Sequence, residues 1–184
     1  MSNLRLINET VINTPINTLQ ITDIFSSDFN TYCIEVVGIS CESSLDNNSA
    51  TIQLLDASGS TIFDTNQMFE YDFFRGFDST PLEIGGTGRD EFGLIYYDDD
   101  ADNAFTNMTM WIFNPFDSDK YTFHISELSG VMRRPSDDHV AMFAKGMGVH
   151  QSQETITGLS FINRDSLNIA TGTFRTYGLR RDDS

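Results

Sequence analysis

The chain holds only 3 histidines, His124, His139 and His150, and acid–base or nucleophilic chemistry near neutral pH would have to place one of them beside a serine or cysteine. No serine sits in a Gly-x-Ser-x-Gly elbow: Gly38-Ile39-Ser40 continues into Cys41-Glu42, and Gly158-Leu159-Ser160 into Phe161-Ile162. The histidines are therefore expected on the surface or in turns, and no enzyme activity is expected. Gly85-Gly86-Thr87-Gly88 has the glycine content of a phosphate cradle. Arg89-Asp90-Glu91 follows where a Gly-Lys-Ser/Thr step into a helix is required, so the segment reads as a flexible loop. Cys33 and Cys41 have neither CxxC spacing nor enough partners for zinc. They read as free thiols, since a bridge would demand that they face each other across a tight turn. In the run 98–103, Asp98, Asp100 and Asp102 take the alternate positions of a calcium loop, yet Asn103 stands where that loop needs glycine and Thr109 where it needs a bidentate glutamate. A solvated loop with at most weak calcium affinity is expected, and no cofactor.

Strands have to position these side chains, because no helical window of apolar residues at i, i+3, i+4 and i+7 occurs. In Thr31–Ile39, Tyr32, Ile34 and Val36 share a face. In Thr106–Asn114, Met108, Met110 and Ile112 oppose Thr109, Trp111 and Phe113, which predicts a strand buried on two sides. Lys120–Leu128 alternates Tyr121, Phe123 and Ile125 against Lys120, Thr122, His124 and Ser126, the pattern of a half-exposed strand. Further strands are predicted at 4–7, 18–22, 51–55, 67–74, 92–97, 139–147, 155–162 and 171–179, separated by segments with turn chemistry such as Ala57-Ser58-Gly59-Ser60. Phe69, Tyr71 and Phe73 share a strand face, which assigns them to core or to a subunit interface rather than to a sugar-stacking site. The predicted fold is all-β: a single antiparallel β-sandwich domain over 1–184, jelly-roll-like, with 1–20 an N-terminal arm or edge strand.

At 184 residues such a domain buries roughly 70% of its unfolded surface without staples. The net charge of −16 excludes a phosphate-binding surface and disfavours an anionic membrane, so neither nucleic acid nor membrane is expected as a partner. Residues 1–119 carry 20 acids and 3 bases (−17), and residues 120–184 carry 7 acids and 8 bases (+1), which sum to the −16 of the whole. The asymmetry suggests an acidic, solvent-facing region and a near-neutral one suited to contacts. Met1–Gln20 lacks a basic start followed by an apolar run, the expectation for a soluble protein made in a cytoplasm.

Two segments carry a family resemblance. Asp23-Ile24-Phe25-Ser26-Ser27-Asp28-Phe29-Asn30-Thr31-Tyr32-Cys33-Ile34 resembles the F-S-S-x-Y/F-x-x-Y-x-I opening of β-rich structural proteins of tailed bacteriophages, including capsid cement proteins and tail-fibre domains. Thr157-Gly158-Leu159-Ser160-Phe161, followed by Ala170-Thr171-Gly172-Thr173-Phe174-Arg175-Thr176-Tyr177-Gly178-Leu179, resembles their closing G-x-x-x-F and G-T-F-R-x-Y-G-I/L strands. Together they bracket nearly the whole chain.

The resemblance implies a virion structural protein, made in the host cytoplasm. Because the module starts almost at Met1, a free-standing capsid decoration or cement protein is expected, binding the major capsid protein. A receptor-binding tail fibre, knob or adaptor module is the alternative. The resemblance and the aromatic excess also suggest a homotrimer. Arg133, Arg134, Arg175, Arg180 and Arg181 are the expected docking cations, with Phe69, Tyr71 and Phe73 as capsid or subunit contacts.

Overall fold

Short runs of β-branched and aromatic residues, cut by turn-forming Asp, Asn, Gly and Ser, give, among the described residues, twelve strands and no helix. The structure is a computed structural model, and it describes residues 3–42, 49–63, 65–75, 82–96, 105–133, 139–163 and 167–180. The strands are β1 (Leu4–Ile12), β2 (Thr18–Ile21), β3 (Thr31–Cys41), β4 (Ser49–Leu55), β5 (Gln67–Arg75), β6 (Leu82–Arg89), β7 (Gly93–Tyr96), β8 (Thr106–Phe113), β9 (Thr122–Arg133), β10 (His139–His150), β11 (Gly158–Asn163) and β12 (Ile169–Leu179). They form two antiparallel sheets around one core: an eight-stranded sheet ordered β1-β12-β3-β8-β9-β10-β5-β6, and a four-stranded sheet ordered β2-β11-β4-β7. The fold is an all-β sandwich. Within residues 1–20, β1 lies at one edge of the large sheet and β2 at one edge of the small sheet.

The chain passes repeatedly between sheets, so sequence halves are not spatial halves. β12 lies between β1 and β3, and β9 and β10 lie between β8 and β5. The charge asymmetry along the sequence therefore does not divide the molecule into an acidic side and a docking side. Neighbouring strands interleave residues from both parts.

Large side chains from both sheets fill the space between them. Phe161 on β11 meets Phe174 on β12 with ring centroids 4.8 Å apart, tying the small sheet to the large one. The two family-like segments also meet. The Tyr32 hydroxyl accepts from the Ser26 N–H and donates to the Ser26 carbonyl, both at 2.8 Å, closing the turn that precedes β3. Phe25 and Phe29 pack edge-on against the Tyr32 ring. Gly178 pairs with Tyr32 across the sheet, and a Cβ there would come within 2.6 Å of the Phe29 ring. The closing glycine thus makes room for the opening aromatic.

Three expectations require correction. Gly85–Gly88 is not a loop but part of edge strand β6, pressed so closely on β5 that a Cβ at Gly85 would lie 2.2 Å from the Phe69 carbonyl oxygen. β8 is buried on one face only: Met108, Met110 and Ile112 face the core, while Thr109 is exposed and Trp111 and Phe113 are half-buried. β9 is half-exposed as predicted, but its apolar side chains are the outward ones. Thr122, His124, Ser126 and Leu128 are buried, and Tyr121, just before the strand, Phe123 and Ile125 are exposed.

Candidate functional site

The orientation of β9 is set by what lies opposite its polar face. His124 is buried between the sheets, its Nε2 hydrogen donated to the Phe92 carbonyl at 2.8 Å and its ring 4.6 Å from that of Phe92. Its Nδ1 has no hydrogen-bond partner, and burial pushes the imidazole down to about 4, so the ring is neutral at pH 7. Beside it the Tyr71 hydroxyl accepts from the Ser126 hydroxyl at 3.1 Å and from the Leu94 N–H at 3.3 Å. β10 admits both rings by presenting glycine twice. A Cβ at Gly146 would lie 2.3 Å from the Tyr71 ring, and one at Gly148 would lie 2.4 Å from His124 Nε2. With Thr122, His124 and Ser126 turned inside, strand alternation points Phe123 and Ile125 outward.

The outer face of the large sheet is consequently banded. Register carries one row across six strands: Tyr177, Cys33, Trp111, Ile125, Met147 and Glu70 on β12, β3, β8, β9, β10 and β5. A shorter row beside it holds Phe113, Phe123, Val149 and Met68. On the other side runs a charged row of Glu9, Arg175, Glu35, Thr109, Glu127, Lys145, Asp72 and Glu83. Those eight positions supply five carboxylates and two cations. Lys145 pairs with Glu127 and Arg175 with Glu9, and Tyr177 donates its hydroxyl hydrogen to Glu35.

The apolar rows are open to solvent at their centre, where Phe123 is 44%, Ile125 49% and Met147 62% exposed. Two adjoining depressions flank Met147. One, of about 530 Å³, runs along Trp111 and Ile125 to Glu70, Asp72, Glu127 and Lys145; the other, of about 340 Å³, is lined by Phe113, Phe123, Val149 and Met68.

The expected site residues fall elsewhere. Phe69 and Tyr71 are core rather than contact residues, buried by the opposing sheet and by β10. Phe73 pairs with Ala144 and Leu82 within the large sheet. Arg175 is engaged by Glu9, and Arg180 lies just past β12, its N–H bonded to the Asn3 carbonyl. Arg133 ends β9, while Arg134, Arg181 and the carboxylates Asp98, Asp100 and Asp102 lie outside the described residues. His124 and His150 are buried rather than superficial, and each has a hydrogen-bond acceptor: the Phe92 carbonyl for the first and Oε1 of the half-exposed Glu154, at 2.8 Å, for the second. His139 opens β10.

Cys33 and Cys41 are buried thiols, not joined in a disulfide, toward opposite ends of β3, and burial pushes Cys33 up to about 11, far from a thiolate nucleophile at neutral pH. Among the described residues no group of three or more His, Cys, Asp or Glu could hold a metal, and no helix is long and apolar enough to cross a membrane.

No protein-family model matches the chain, and no curated protein matches it. Among solved structures it overlaps loosely with a CBM2 module of the evolved Dit of Lactobacillus casei BL23 phage J-1, at 8% identity, 91% of this chain, 70% of that chain and a TM-score of 0.24. It overlaps comparably with an alginate lyase from Alteromonas sp. 272, at 8% identity, 92% and 94% coverage and a TM-score of 0.21. A third is the VP2 subviral particle of infectious bursal disease virus, at 9% identity, 96% and 41% coverage and a TM-score of 0.17. All three likenesses are weak.

Proposed function

We propose that this chain is a structural protein of a tailed-phage particle, and specifically a decoration protein that binds the assembled head and reinforces it without turning over a substrate. Support for the phage assignment is the pair of sequence resemblances, whose residues Phe29, Tyr32 and Gly178 meet in one contact. The observation that carries the docking role is the outward apolar face of β9 and β10. Half-exposed Phe123, Ile125 and Met147 form a contiguous patch on these two adjacent strands, with Ile125 paired to Met147. Covering such side chains is worth roughly 1 kcal/mol each, and many copies on a shell multiply a modest interface by avidity. Docking thus moves from the arginines to the outer sheet face, with the major capsid protein as the partner and neither nucleic acid nor membrane involved.

The test uses particles prepared without this protein. They should assemble but burst at lower temperature or internal pressure, and added wild-type protein should restore them while a Phe123→Ser, Ile125→Ser variant should not. Particles that are equally robust without the protein yet fail to adsorb to their host would replace this reading with that of a receptor-binding fibre or adaptor.

A further inference from the structure

Apolar and acidic features lie next to each other on the outer face, and together they define what can sit there. The two depressions share Glu70, Ile125 and Met147 in their walls, so an occupant along β10 meets an apolar end at Phe113 and Phe123, Glu70 on both sides of the junction, and an acidic end at Asp72 and Glu127. Lys145 pairs with Glu127 and stands opposite Asp72 in register, so the charged groups of this end, Glu70, Asp72, Glu127 and Lys145, are three carboxylates against one cation. The acidic end therefore presents net negative charge to whatever enters. At the centre Ile125 and Met147 stand beside the rings of Phe123 and Trp111. Such a mixture of branched aliphatic, thioether and aromatic groups suits the varied shapes of protein side chains.

From this charge complementarity and surface chemistry we infer that the groove along β10 binds a short segment of a partner protein that carries one or two large apolar side chains followed by Lys or Arg. The inference rests on the reading of the outer face as the docking face and adds the partner's chemistry. The apolar side chains cover Phe123, Ile125 and Met147, and the basic one reaches Glu70 and Asp72. Such a pair of contacts fixes the direction of the segment as well as its place.

Trp111 lines the groove and is the only tryptophan in the chain, so its fluorescence reports occupancy directly. The probes are a blocked hexapeptide GLFKRG, its acidic counterpart GLFEEG, and maltohexaose. The basic peptide should shift the emission saturably and more weakly at high salt, and the other two should not. A Glu70→Gln, Asp72→Asn variant, with an unchanged circular dichroism spectrum, should bind it about fivefold more weakly. Equal binding of the acidic peptide, a response to the sugar alone, or no saturable response to the basic peptide would overturn the inference.

Particle docking separates this inference from the reading beneath it. A double variant that loses the peptide but still decorates particles overturns the groove and leaves the decoration role standing. Wild-type protein that takes the peptide but decorates no particle upholds the groove and removes the decoration role.

Discussion

β4 and β9 both alternate polar with apolar residues, and their surroundings treat them differently. In β4, Ser49, Thr51 and Gln53 alternate with Ala50, Ile52 and Leu54, and all seven strand residues are buried. Its polar side chains find partners under cover: Thr51 donates to the Ile162 carbonyl and Gln53 to that of Asp90. In β9, Thr122, His124 and Ser126 are buried in the same way, but among the described residues nothing covers the outer face, and Phe123 and Ile125 meet solvent. The difference teaches that alternation defines two faces, while the partners waiting on either side decide which one is the interior. It also separates a region whose side chains hold the fold from one whose side chains are spare.

Four experiments can break or sharpen that contrast. The largest effect is expected between the sheets, where Phe161→Ala should remove the contact with Phe174 and cost about 3–5 kcal/mol in urea denaturation. Next is the titration of His124, whose folded value of about 4 lies below the ordinary 6.5. The unfolded chain binds this proton first as pH falls. The stability is thus fully present above about 6.5 and lost progressively toward pH 4, by about 3 kcal/mol in total. Denaturation midpoints for wild type and His124→Gln should therefore converge as the pH is lowered through that window, and parallel curves would sink the assignment.

Gly148→Ala should cost about 1–3 kcal/mol by driving a methyl group into the His124 ring, with near-wild-type stability as the contrary result. The smallest effect belongs outside: Ile125→Ser should change stability by no more than about 0.5 kcal/mol, by thermal denaturation, while weakening docking. A larger loss would mean that the outer face belongs to the fold after all.

Most of the strand framework was legible because the β-branched and aromatic runs of β3, β8 and β12 are bounded by turn residues. β6 was not, since Leu82–Arg89 has three glycines and its pairing depends on the close approach of β5, which no local propensity encodes. The inversion of β9 was hidden because Thr122, His124 and Ser126 look like a solvent face until Tyr71 and the Phe92 carbonyl are placed against them. Two signals did exist. Glu127 falls in phase with Phe123 and Ile125, and Lys145 with Phe143 and Met147, so each apolar set carries a charge that a buried face would exclude. Gly146 and Gly148 at alternate positions likewise announce a large neighbour on the opposite face. The arginines suggested a docking site from charge alone, and charge alone could not reveal that Glu9 already holds Arg175.

The position of β12 governs how the chain can fold. It is the strip that joins β1 to β3, so the first strand has no hydrogen-bonding neighbour in the large sheet until the last one has been synthesised. Closing that separation carries a loop-entropy cost before any of its pairing is gained, which makes late, slow completion the expected kinetics. A growing chain can assemble the β8-β9-β10 meander early, but it cannot finish the large sheet before β12 is made. Until then the β3 edge stays uncovered, and the arrival of β12 is the step that ends its exposure to edge-to-edge aggregation.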